Sequence, residues 1–329
     1  YKQVAAVGYG LSAVCKLGIL LVQGAWTWLA GIILVDRIGK GIRTAPRDAL
    51  ISLSSPREQL GTAFGVHRAL DTAGAMLGPL VAFGLLALVP GAFDAVFVVS
   101  FCTALVGLGL LGLFVENRPL PTHGATPAPA VSLRAAAGLL RAPRFRTLVL
   151  VGAALSLTTV SDAFLYLGLQ RRLDFSVGFF PLLYVATALV YMVLAVPFGQ
   201  LADRVGRGRV FLGGYVLLVL VYTSLLLPGI GPAAVLVYLL LFGAYYAATD
   251  GVLMALASAI VPPELRTSGL ALLATATSVS RLVASVLFGV LWTWWDVELA
   301  VSFFLGGLVV AIVIAAAALT RTGGDPVHE

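Results

Sequence analysis

Apolar residues run along this chain in blocks of about 20 or more, separated by short polar stretches, from one end to the other. A helix rises about 1.5 Å per residue and the hydrocarbon core of a bilayer is about 30 Å thick, so each block can cross it. We read ten spans, at about residues 4–22, 26–54, 60–89, 92–115, 145–169, 177–200, 209–227, 232–261, 266–295 and 297–319. The short alternating strands of an outer-membrane barrel are not seen. The pattern therefore predicts an all-α, multi-spanning membrane protein.

One block departs from the pattern. Between Trp26 and Leu53 it carries Asp36, Arg37, Lys40, Arg43, Arg47 and Asp48. A charge at the middle of a spanning helix costs roughly 2.5–3.5 kcal/mol on insertion scales. Asp36, Lys40, Arg43 and Arg47 follow i, i+4, i+7, i+11 and share one helix face, with Arg37, Gly41, Thr44 and Asp48 on the face beside it. In the next span His67, Arg68 and Asp71 lie within one turn, so Asp71 can pair with either base. Asp162, Asp250 and Arg281 sit within the fifth, eighth and ninth spans, far from most loop charges. Mutual neutralisation explains such groups only in part. A functional interior face explains them better, because plain helix packing needs none of them.

Composition agrees with the class: 60% of residues are hydrophobic and 11% charged, against about 25% charged in soluble proteins. The net charge of +6 raises nucleic acid as a partner, but the placement of the bases excludes that reading. With Lys2 on the cytoplasmic side, Arg57, Arg118, Arg134, Arg141, Arg144, Arg146, Arg204, Arg207, Arg209, Arg266 and Arg321 also fall inside, and only Arg171 and Arg172 fall outside. The basicity is a topology signal, and it puts the C-terminus in the cytoplasm. Cys15 and Cys102 lie in apolar runs and read as small core residues. His67 is the only intramembrane histidine, no metal-ligand spacing occurs, and no Ser or Cys has an evident base, so neither an enzyme nor a cofactor or metal is expected.

The chain divides into residues 1–115, an N-terminal bundle of four spans; 116–144, a cytoplasmic linker rich in Pro, Ala, Thr and Arg; 145–321, a six-helix bundle; and 322–329, a tail. A surface helix is expected around Leu133–Leu140. The halves are alike. Ala49, Pro56 and Glu58 fall on Ala255, Pro262 and Glu264, and with a short insertion Gly61 falls on Gly269. That turn joins spans four and five of six in the second half but two and three of four in the first. The mismatch, with the lack of an initiator Met, leads us to expect two spans upstream of Tyr1.

Three motifs carry a family resemblance. Gly199-Gln-Leu-Ala-Asp203-Arg204-Val-Gly206-Arg207-Gly-Arg209 closely resembles the signature loop of the major facilitator superfamily. Its glycines permit a tight turn, and Asp203 can cap a helix end and pair with an arginine. Arg37-Ile-Gly-Lys40-Gly41 resembles the motif of the family's fourth helix, with Lys40 where a Gln is usual. Gly74-Ala-Met-Leu-Gly78-Pro79 resembles the fifth-helix motif of its exporters, and Gly74 and Gly78 at i, i+4 let another helix approach closely.

The resemblance implies a twelve-helix fold of two pseudo-symmetric bundles, of which ten spans are visible and align to helices three to twelve. It implies a secondary transporter working by alternating access, with a signature loop (Gly199, Asp203, Arg204, Gly206, Arg207, Arg209) that latches the halves on the cytoplasmic side. Asp162 and Asp250 would face the central cavity. The Gly-Pro motif points to efflux driven by inward proton flow. The proton-coupling candidates are Asp36, Asp48, Asp71, Asp162 and Asp250. Candidates for holding or gating substrate are Arg37, Lys40, Arg43, Arg47, His67, Arg68, Arg281, Tyr245 and Tyr246. An excess of bases in the second span favours an anionic or zwitterionic metabolite or drug, although Tyr245 and Tyr246 also suit core packing. The partners expected are that substrate, protons and the bilayer of an inner (cytoplasmic) membrane, with the protein acting as a monomer. The alternatives are an uncoupled facilitator or importer of an organic anion, or a non-transporting sensor or scaffold.

Overall fold

The computed structural model describes residues 2–22, 26–115, 137–173, 180–227 and 232–321. They form helices α1 (Lys2–Leu21), α2 (Trp26–Leu53), α3 (Leu60–Leu88), α4 (Phe93–Phe114), α5 (Pro143–Leu157), α6 (Asp162–Leu173), α7 (Phe180–Val205), α8 (Arg207–Leu226), α9 (Pro232–Ile260), α10 (Arg266–Trp294) and α11 (Val297–Arg321). Nine segments among the described residues are long and apolar enough to cross a bilayer, α5 and α6 counting together. At 28 residues α2 is long enough as well, and only its charges set it apart. Most of the linker and the tail lie outside the described residues; of the expected surface helix, residues 137–139 form one helical turn.

The helices pack as two pseudo-symmetric bundles. In the first, α1 packs on α2 and α4; in the second, α8 packs on α9 and α11. Between the bundles α3 meets α9 and, reciprocally, α10 meets α2. The duplicated turn is a short 3-10 helix in both halves, Arg57–Gln59 and Pro263–Leu265, entered through Pro56 (φ −58°, ψ 146°) and Pro262 (φ −54°, ψ 146°). The helices that follow start at Leu60 and Arg266, so the partner of Gly61 is Thr267 and no insertion is needed. The glycine match was misleading because backbone geometry, fixed by the proline, sets this register.

The buried core lies mostly in the second bundle, where Phe211, Tyr215, Tyr222, Phe242, Phe288 and their neighbours are almost fully covered. At one end the bundles close backbone on backbone. A Cβ on Gly61 would lie 2.5 Å from the Gly199 carbonyl oxygen, and one on Gly65 2.5 Å from that of Ala195. Only glycine permits α3 and α7 to approach so closely.

The span expected at 145–169 is not one helix. It breaks at Thr158–Ser161 and resumes at Asp162. No Gly or Pro marks the break. The Thr158 and Thr159 hydroxyls both donate to the Leu155 carbonyl (2.8 and 2.9 Å), and these side-chain bonds compete with helical ones.

Candidate functional site

The closed end is held by the signature motif, which is not an extended loop. Helix α7 runs through Asp203 and Arg204 to Val205, and the turn into α8 is Gly206 alone, at φ 114°, a backbone conformation that glycine adopts without strain. Asp203 reaches across to the other bundle and caps α3. It accepts from the Gly61 amide (2.8 Å), the Thr62 amide (2.7 Å) and the Thr62 hydroxyl (2.9 Å). Arg207, only 1% exposed, donates to Asp203 through Nε (3.0 Å) and Nη2 (2.8 Å) and to the Arg57 carbonyl (2.5 Å). Arg57 in turn donates to the Ala259 carbonyl in the last turn of α9 (2.9 Å). Arg204 and Arg209 stay exposed, and Arg209 donates to the Val205 carbonyl at 3.4 Å.

Farther along the same interface lies a cluster of charge. Arg68 on α3 places Nε 3.3 Å from Asp250 Oδ2 on α9, and the Tyr191 hydroxyl on α7 donates to that same oxygen at 2.9 Å. The pair thus bridges the two bundles. Arg47 pairs with its neighbour Asp48 (2.9 Å), which is 2% exposed, and lies 4.0 Å from Asp71. Asp71 therefore turns to α2, not to Arg68 or His67 as its position in the turn suggested, because Asp250 from the other bundle claims Arg68. Asp48 and Asp71 remain within electrostatic reach of Arg68.

The second bundle adds Asp162, at the first turn of α6, whose carboxylate accepts from the Tyr246 hydroxyl (2.5 Å). Tyr246 stacks obliquely on Tyr191 (5.8 Å between centroids), so one chain of rings and carboxylates runs from Arg68 to Asp162. Arg281 on α10 acts electrostatically on both Asp162 and Asp250. Arg68 Nε faces Asp250 as an ion pair outside hydrogen-bond geometry, while the Nε of Arg281 and the Nε2 of His67 are buried without a hydrogen-bond partner among the described residues. The cluster has donor capacity left over, which a bound anion could use.

The candidates read from sequence separate accordingly. Arg47, Asp48, His67, Arg68, Asp71, Asp162, Tyr246, Asp250 and Arg281 come together. Asp36, Arg37 and Lys40, farther along α2, make no ion pair among the described residues, and Arg43 lies over the Tyr9 ring at 4.3 Å. Tyr245 is fully buried in the second bundle, 5.5 Å from Tyr215 and stacked on Phe242, with its ring 5.1 Å from that of Tyr246 and within electrostatic reach of Arg281. No helix approaches Gly74 or Gly78 among the described residues; a Cβ at either would meet nothing within 4 Å, and Pro79 is exposed. Close helix approach falls instead on Gly61, Gly65 and Gly199. Tyr191 joins the cluster, and its spacing of seven from Tyr184 was the only signal for it; Tyr184 itself is exposed. Among the described residues no three His, Cys, Asp or Glu side chains stand close enough to hold a metal.

Comparison with known proteins agrees with this architecture. The family described as Major Facilitator Superfamily matches residues 1–186 and again 163–329. The chain is 31% identical over 301 residues to an uncharacterised MFS-type transporter of Methanocaldococcus jannaschii, covering 88% of this chain and 72% of that protein. It is 33% identical over 111 residues to an uncharacterised protein of Mycobacterium tuberculosis, 34% of this chain and 27% of the other. Among solved structures it resembles the human organic anion transporter MFSD10 (TM-score 0.80, 16% identity, 95% of this chain and 76% of that one). It also resembles a bacterial homologue of the iron transporter ferroportin in an outward-facing state (0.76, 20%, 97% and 84%) and the transporter FucP in an outward conformation (0.72, 13%, 96% and 81%).

Proposed function

The chain belongs to the major facilitator superfamily, a secondary transporter of a small molecule by alternating access and not an enzyme, and from that premise we propose that it carries a small organic anion or zwitterion coupled to protons. One observation carries the reading: Asp250, Arg68 and Tyr191 join the two bundles through a single carboxylate, beside the buried Arg281, whose Nε has no hydrogen-bond partner among the described residues. While Asp250 is charged, it occupies Arg68. A proton on Asp250 weakens that pair and frees the guanidinium for the carboxylate of a substrate. Asp162, bonded by Tyr246, is the second proton candidate. The shared fold of MFSD10, an organic anion transporter, is compatible with this.

Positive-inside counting supports a cytoplasmic position for the signature-motif end and the C-terminus, in an inner membrane, so the closed end faces the cytoplasm and the cluster is approached from outside. On this chemistry proton and anion bind together and move the same way. Efflux by proton antiport is the second reading, favoured by the resemblance of Gly74, Gly78 and Pro79 to the exporter motif. Proteoliposomes with an imposed pH gradient separate the two, with radiolabelled succinate, glutamate and benzoate as probes. Accumulation of a probe on the side toward which protons flow supports co-movement. Accumulation on the opposite side supports antiport, and transport indifferent to the gradient removes proton coupling altogether.

A further inference from the structure

The break between α5 and α6 is finished by a residue from another helix. Breaking a spanning helix frees backbone groups that lipid cannot satisfy, each at a cost of several kcal/mol. Here the Val160 amide donates to the Tyr222 hydroxyl at 2.8 Å, and that hydroxyl donates to the Thr158 carbonyl at 3.0 Å. Tyr222 sits on α8 and is fully buried. One phenol thus accepts and donates across the gap, supplying both groups that a continuous helix would have supplied itself. The Leu155 carbonyl accepts from the Thr158 amide (3.2 Å) and from the hydroxyls of Thr158 and Thr159, and α6 restarts with the Phe164 and Leu165 amides on the Ser161 carbonyl (3.0 and 3.2 Å).

Asp162 is where it is because of that restart. As the first residue of α6 it lies at the positive end of a new helix, and the break turns it toward Tyr246. Four more helical residues in place of Thr158–Ser161 would shorten the path and rotate Asp162 away from its partner.

We propose that Tyr222 is a positioning residue: it pins the break at Thr158–Ser161 and so holds Asp162 at the head of α6, facing the central cluster. The proposal rests on the role given to Asp162 above only where transport is concerned. The position of Asp162 is read independently, in Asp162→Cys with Cys15→Ala and Cys102→Ala, as the rate of modification by negatively charged methanethiosulfonate ethylsulfonate. Adding Tyr222→Phe should change that rate about tenfold or more, because two buried backbone groups lose their partner. Tyr238→Phe, which removes a fully buried hydroxyl that has no partner among the described residues of the same bundle, should change it less than about twofold. Equal effects of the two substitutions, or none from Tyr222→Phe, would overturn the proposal.

Transport adds a test that a purely structural role would not pass. If Tyr222 acts through Asp162, Tyr222→Phe lowers Vmax alone but causes no further loss on top of Asp162→Asn. A multiplied loss overturns the proposal. Full transport by Asp162→Asn would instead remove the role of Asp162, leaving the pinning of the break to be judged on the modification rates. Should Tyr222→Phe fail to fold, hydrogen exchange in the unsubstituted protein decides. The Val160 amide must be as protected as those of α5 and α6, and free exchange there rules out the bond.

Discussion

Replacing Asp203 with Asn should release the closed end of the transporter. Asp203 makes two kinds of bond, and they matter differently. Its pair with Arg207 lies within one bundle and persists whichever way the bundles rock, so it cancels from the ratio of closed to open states. Its bonds to Gly61 and Thr62 cross the interface and exist only when this end is closed. A hydrogen bond to a charged group contributes about 1.5–3 kcal/mol, and a carboxylate at a helix N-terminus about 0.3–1 kcal/mol more. Asn keeps one acceptor and no charge, so we assign the loss about 3 kcal/mol of the three-bond total, a shift of roughly a hundredfold toward the open state. The assay is a distance distribution between spin labels at Gln59 and Gln200, both exposed and on opposite bundles, with Cys102 replaced. We expect one short population in the parent and a second, longer one in Asp203→Asn. A distribution that stays single and short would refute the view that this carboxylate latches the bundles.

Other substitutions follow from the same geometry. Gly65→Ala should open the same end and reduce transport, since its Cβ would meet the Ala195 carbonyl at 2.5 Å, whereas Gly74→Ala should behave as the parent. Identical transport by both would contradict the seam. Asp250→Asn should abolish proton-coupled transport and leave Arg68 buried with a weakened partner; a double-mutant cycle with Arg68→Gln should show coupling of about 1–3 kcal/mol in thermal stability, and additivity would deny the pair. Asp48→Leu should destabilise the protein by about 3–5 kcal/mol, because Arg47 would remain largely buried with its near counter-charge gone, and an unchanged melting temperature would contradict that.

The fold was legible because a bilayer writes its demands plainly into sequence. Apolar blocks of fixed length gave the spans, and the spacing from Gly199 to Arg209 pointed to the family. The prolines at 56 and 262 gave the repeat, although matching Gly61 to Gly269 misplaced its register. The site was legible only in part. Charges inside spans marked Arg68, Asp162, Asp250 and Arg281, since burial makes such residues conspicuous in any membrane sequence. Which base meets which acid was not readable, because Arg68 and Asp250 lie on different bundles and the contact is made by the fold. The close approach at Gly61, Gly65 and Gly199 was hidden for the same reason: a glycine shows that contact is allowed, and only packing shows where it happens. The break at Thr158–Ser161 left no Gly or Pro to betray it. Its partner, Tyr222, lies three helices away in the sequence and looks like any other tyrosine in a span.

On taking a proton Asp250 gives up the guanidinium of Arg68, and a substrate anion takes its place there. The most direct test records both species in the same proteoliposomes, with a trapped pH-sensitive dye and whichever radiolabelled probe the gradient experiment identifies. Anion entry should acidify the lumen in the parent, and Asp250→Asn should lose this acidification. Anion entry of equal size in both, with no change in luminal pH in either, would contradict it.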